Sequence, residues 1–273
     1  VICLMVNGVN ECGTLKAYSA NWVWLKLLCL TIIAALTFEH SALDVRISEL
    51  FYLNGHWLLE KGAQPYAFIF YDGPKALLIV LAIYLLIVLI IRYKQPVDAN
   101  LSLNTVKPHR LMIPLSAREI CYLLTIIILV PTSIALLKGV THVSCPNHLT
   151  LFGGELPYLN LWQNMVANTP AKCFPAAHAS AGFSLYGLAF LPTLHKYRYR
   201  IFVIVTTVGW TMGLYKMLFG DHFFSHTLVS MLLSLTIACA LASVFFKRAI
   251  THDAKNTAPN NSNANKKPTP RTS

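Results

Sequence analysis

An all-α, polytopic membrane bundle of about six transmembrane helices is the fold class this sequence predicts, and three observations predict it. Hydrophobic residues fill 55% of the 273 positions and charged residues only 12%, about half the charge of an ordinary soluble domain, and the mean hydropathy is +0.54. Apolar stretches approaching the roughly 20 residues that cross a bilayer's hydrocarbon recur along the chain. Basic residues collect in alternate connections between those stretches, as membrane orientation requires.

The first span is placed at about 21–38, after residues 1–20, which lack the basic start and long apolar core of a cleavable leader and are read as a cytoplasmic N-terminal segment. The second lies at about 76–91 and the third at about 117–137, ending beside Lys138. The fourth and fifth, about 178–193 and 201–217, contain His178, Ser180, Pro192, Thr206, Thr207 and Gly209. Such residues suit helices that line a shared interior instead of facing lipid on all sides. The sixth lies at about 223–246, so residues 21–248 form one membrane domain. Residues 249–273, dominated by Asn, Lys, Pro, Thr and Ser, carry too little apolar surface to fold and are expected to form a disordered cytoplasmic tail. Between the first two spans, Glu39 to Lys75 sets Ile47, Leu50, Phe51, Leu53, Trp57, Leu58 and Leu59 among charged residues. That spacing fits either a helix lying in the membrane interface or one capping the mouth of the bundle.

With both ends cytoplasmic, the inner segments hold Lys16, then Arg92, Lys94, Lys107, Arg110 and Arg118, then Lys196, Arg198 and Arg200, and then the bases from Lys247 onward. The outer segments hold fewer bases and most of the acids, among them Glu39, Asp44, Glu60, Asp72 and Asp221. This asymmetry accounts for the net charge of +11 by attraction to anionic lipid, and no nucleic-acid partner is expected. Of seven cysteines, only Cys145 and Cys173 fall outside, where disulfides persist; they either form one or remain thiols. Cys3 and Cys12 lie inside, and Cys29, Cys121 and Cys239 lie in spans.

Three polar segments, Lys138–Pro146, Pro175–His178 and Lys216–His226, fall at the outer ends of the third to sixth spans. Ionisable groups cost several kcal/mol at membrane depth, so their recurrence there points to function. A lone histidine at a helix end is more often structural than catalytic. The expectation therefore rests on antiparallel packing gathering all three segments in one place.

Those segments resemble the three-part signature of the type 2 phosphatidic acid phosphatase superfamily, relatives of the vanadium haloperoxidases and bacterial acid phosphatases. The family's Lys, six residues, Arg-Pro is matched by Lys138 and Cys145-Pro146; its Pro-Ser-Gly-His by Pro175-Ala176-Ala177-His178; its Ser-Arg, five residues, His, three residues, Asp by Tyr215-Lys216, His222 and His226. Lys138, His178 and His222 keep the family residue, whereas Cys145, Ala176, Ala177, Lys216 and His226 depart from it. The surrounding "CPNHLTLFGG", "CFPAAHASAGF" and "GDHFFSHTL" look similar to a bacterial branch.

The resemblance implies phosphoryl transfer by an enzyme of the bacterial inner membrane whose site faces the periplasm. His222 would attack phosphorus, His178 would protonate the leaving oxygen and then activate water, and His226 would orient His222. Lys138 and Lys216 would supply the cations that phosphoryl transfer requires, with Lys216 lacking the bidentate geometry of arginine. The backbone amides of Ala176 and Ala177 would add donors. A lipid phosphate or polyprenyl diphosphate is the implied substrate, with no cofactor. The alternative is a catalytically impaired member that binds a lipid phosphate or a membrane partner. His222 and His226, with His142 and His148 opposite, could also chelate zinc, but no third ligand stands at a fixed spacing, so no metal is expected. Oligomeric state is left open.

Overall fold

A computed structural model describes residues 22–94, 114–168 and 170–256, the last ten of these as helix backbone. The expected N-terminal segment and the tail beyond Asn256 lie outside the described residues. Eight α-helices are described: α1 (Val23–Glu39), α2 (Leu43–Glu49), α3 (Gly73–Lys94), α4 (Ala117–Thr141), α5 (Leu161–Ala167), α6 (Ala177–Phe183), α7 (Arg198–Met217) and α8 (Phe224–Asn256). The all-helical membrane bundle expected from composition is what forms.

Among the described residues, three helical segments are long and apolar enough to cross a membrane: Phe68–Lys94, Ala117–His148 and Phe224–Phe246. A fourth is added if α1 and α2, bent by 70° between them, count as one broken span. The expected fourth and fifth spans are helical but do not meet that standard. After α6 the chain tightens into 3-10 turns over Ser184–Phe190 and Pro192–Tyr197, and α7 carries Arg198, Arg200 and Lys216 in 20 residues. Both sit against protein on several sides, which is why their small and polar residues are tolerated. Helix α8 continues to Asn256, into the stretch expected to be unstructured. A long helix extends readily once nucleated, and Ala249, Ala254 and Lys255 are good helix formers.

Helix α4 forms the spine of the bundle. Its start is fixed by a capping box: the Ser116 hydroxyl accepts from the Glu119 amide at 3.3 Å, and Ser116 N–H donates to Glu119 Oε2 at 2.8 Å, pairing two amides that a helix start leaves orphaned. The other Glu119 oxygen accepts from Thr193 N–H at 2.9 Å, tying this end to the turn before α7. Ile120, Leu123, Ile126, Val130 and Ile134 recur at helical spacing and are buried against Ala179, Phe183, Leu235 and Ala238. Tyr122 donates its hydroxyl to the Ala238 carbonyl of α8 at 2.9 Å. By contrast, Leu77, Val80, Ile83 and Ile87 of α3 are exposed, a row of apolar side chains suited to lipid.

Close approach of α6 and α7 depends on Gly209, where an added Cβ would overlap the Phe183 ring. Gly209→Ala is expected to cost about 1–3 kcal/mol by overpacking, read as a lower melting temperature in detergent. An unchanged melting temperature would show that this contact is loose.

The Glu39–Lys75 segment is a cap built of short pieces rather than one helix. After α2, β1 (Tyr52–Leu53) pairs antiparallel with β2 (His56–Trp57), turned by Asn54 and Gly55 at φ 51° and 82°, a pairing favoured in tight hairpins. Trp57 packs against Tyr52 and Phe152, with ring centroids at 5.1 and 5.2 Å. It also covers Gly220, whose φ of +73° and contact with the Trp57 ring both exclude a side chain.

Candidate functional site

The three polar segments meet beneath this cap. Lys138 lies at the end of α4, His178 in the first turn of α6, and Lys216 at the end of α7. His222 precedes α8 and His226 sits in its first turn. His222 and His226 do not share one helix: the chain from Leu218 to Phe223 is a turn, and α8 begins only at Phe224. The rings meet nonetheless, with Nδ1 to Nδ1 at 3.5 Å and both residues buried.

The His226 ring also has a backbone hydrogen bond at Cys173. An imidazole thus stands beside His222 where the family pattern has a carboxylate. Burial, then the positive charges of the neighbouring histidine and lysine side chains, hold the pKa of His222 well below the ordinary 6.5, keeping it uncharged at neutral pH.

His178 faces His222, with ring centroids 6.1 Å apart. Its Nε2 is 3.0 Å from the Tyr71 hydroxyl, while its Nδ1 is buried without a partner among the described residues. Tyr71 comes from the turn just before α3, far from any signature segment. Tyr71→Phe is expected to lower kcat about fivefold with little change in KM, the worth of one hydrogen bond of about 1 kcal/mol, and to move the pH profile. An unchanged profile would make Tyr71 packing only.

The cations are arranged less freely than the signature implies. Lys216 is buried, 3.0 Å from Asp221 Oδ2, and its ammonium stands over the Tyr71 and Phe219 rings at 4.7 and 4.9 Å. Asp221 Oδ1 faces Lys61 Nζ and Asn147 Nδ2, each at 3.4 Å. Lys138 is half-buried and within electrostatic reach of Asp221, Lys216, His178 and His222. Lys75 adds charge above Tyr71, at 5.9 Å from the ring centre. Sequence reasoning missed Tyr71, Lys61, Lys75 and Asn147 and set Asp221 aside; only Asp221, beside His222, carried a local signal.

One expected donor is corrected. Ala176 N–H donates to the His226 carbonyl at 3.2 Å and is committed to joining α6 to α8. Ala177, the first residue of α6, is half-buried beside His178. Cys145 and Cys173 are joined in a disulfide across 28 residues, with Cα atoms 5.3 Å apart. Closing a loop of that length contributes about 3.5 kcal/mol in the chain-entropy account, and it fastens the segment after Lys138 to the one before His178. Among the described residues, no group of three or more His, Cys, Asp or Glu side chains converges as a metal site would.

Two facing histidines, a third histidine beside them and clustered ammonium groups form an arrangement suited to phosphate esters. Residues 119–250 match the family model described as the PAP2 superfamily. The match spans all of the signature segments and supports phosphoester hydrolysis in general. Among curated proteins and among solved structures, none matches the chain.

Proposed function

We propose that this protein is a membrane lipid phosphatase or phosphotransferase that acts on a lipid phosphate or polyprenyl diphosphate at the periplasmic face of the bacterial inner membrane, through a phosphohistidine at His222. The observation that carries the reading is the meeting of His178, His222 and His226 inside a ring of lysines. Neutral His222 uses the Nε2 lone pair to attack phosphorus, and the bond from phosphorus to the leaving oxygen breaks with its electron pair. Protonated His178 delivers a proton to that oxygen. Now neutral, His178 takes a proton from water, or from an acceptor hydroxyl, as its oxygen attacks phosphorus and the P–N bond breaks, which restores His222. The lysines stabilise charge on the phosphoryl oxygens throughout.

One feature favours a lipid: Lys138 and His226 are carried by Ala117–His148 and Phe224–Phe246, helical segments long and apolar enough to cross a membrane. The test is to trap labelled phosphate on the protein, quenching without acid, and to map the label by peptide analysis. Label on His222 is expected; turnover with label on another residue, or with none, would overturn the nucleophile assignment. The Lys216–Asp221 pair favours the second reading, a weakly catalytic phosphate binder, because the ammonium already has a counter-ion. Phosphate release from several lipid phosphates, absent under all conditions while binding persists, would select it.

A further inference from the structure

Beside His226 the structure holds a cleft that His226 itself helps to line. Its chemistry is opposite to that of the phosphate site. Glu39 and Asp44 line it, no lysine or arginine does, and aromatic rings of Phe38, Tyr158 and Phe223 complete the wall. The Asp44 carboxylate accepts from Ser225 N–H at 2.9 Å and from the Ser225 hydroxyl. One Glu39 oxygen accepts from Leu161 N–H. These contacts position both acids.

Asn164 supplies an independent observation. It lines the cleft, is 2% exposed, and donates both Nδ2 hydrogens to the carbonyls of Leu159 and Asn160, at 2.7 and 2.9 Å. Those two acceptors fix the orientation of the amide, and they leave Oδ1 buried with no partner. A buried acceptor left unpaired costs about 1–3 kcal/mol, so a bound donor is favoured there.

We propose that this cleft binds an organic ammonium group, as carried by an amine-bearing or quaternary headgroup. Two carboxylates supply the counter-charge, the aromatic faces attract a cation through their quadrupoles, and Asn164 Oδ1 accepts from the ammonium or from a hydroxyl beside it. The assignment is tested apart from the phosphoryl-transfer reading, since His226 is the one proposed catalytic group that lines the cleft and the readout is binding.

The test uses the full chain in detergent, with choline and ethanolamine as soluble probes followed by saturation-transfer NMR. Saturable binding is expected for at least one of them. 3,3-Dimethylbutan-1-ol, the neutral isostere of choline, is expected to bind at least tenfold more weakly than choline, and Glu39→Gln or Asn164→Leu to weaken the bound ammonium at least tenfold. Binding of neither cation overturns the proposal, as does equal binding of the isostere, which would mark the cleft as merely apolar. Should either variant fail to fold, the wild-type comparison of choline with its isostere decides alone.

Discussion

His222→Ala is expected to reduce phosphate release by at least about 10³-fold, equivalent to roughly 4 kcal/mol of transition-state stabilisation, with the protein still folded by size-exclusion profile and melting temperature. On the proposed mechanism, the size of the effect follows from losing the atom that would form the covalent intermediate. His226 is committed to His222 and the Cys173 backbone. pH dependence supplies a second readout. Protonation destroys the nucleophile, and burial together with nearby positive charge lowers the pKa of His222, so the acidic limb of kcat/KM attributable to it should lie below the ordinary imidazole range near 6.5. Activity retained as pH falls below 6.5 fits; an acidic limb above that value, or a fully active His222→Ala, removes His222 from the chemistry.

Lys138→Ala is expected to be next in severity, lowering kcat/KM about 10²-fold, close to the roughly 3 kcal/mol lost with one donor to a developing anion. The contrast with Lys216 is informative. Lys216 and Asp221 form a nearly buried ion pair, so removing Lys216 leaves the Asp221 carboxylate with the exposed Lys61 as counter-ion at 3.4 Å and costs up to about 3–5 kcal/mol of stability. Lys216→Ala should therefore show mainly in the melting temperature and Lys138→Ala mainly in turnover. Lys138→Arg, which keeps the charge, is expected to recover part of the activity. Equal turnover in Lys138→Ala and wild type would place the phosphate elsewhere.

Much of this was legible in the sequence because the bilayer imposes simple constraints. Apolar length placed α1, α3, α4 and α8, and three ionisable segments at span ends located the histidines that meet. The Asn54-Gly55 dipeptide was a readable hairpin signal within a stretch read as one helix. Other features were not legible for physical reasons. Tyr71 reaches His178 from a turn 107 residues earlier, and no periodicity encodes such a contact. The Asp221 contact with Lys216 depends on the chain leaving helical geometry after Met217; an unbroken helix would have pointed that carboxylate elsewhere. The expected donor at Ala176 was lost because tertiary packing offered its N–H the His226 carbonyl first.

The cap formed by Trp57 and Tyr71 has a consequence for how this chain can be divided. Residues 119–250 carry the family's shared stretch, yet Gly220 is roofed by Trp57 and His178 is partnered by Tyr71, both supplied from upstream. An excised fragment starting at α4 would keep every signature residue while opening the histidine pair to water on one side. Inheritance and enclosure thus have different borders here, and grafting the shared stretch alone onto another membrane scaffold would transplant the reactive groups without their roof.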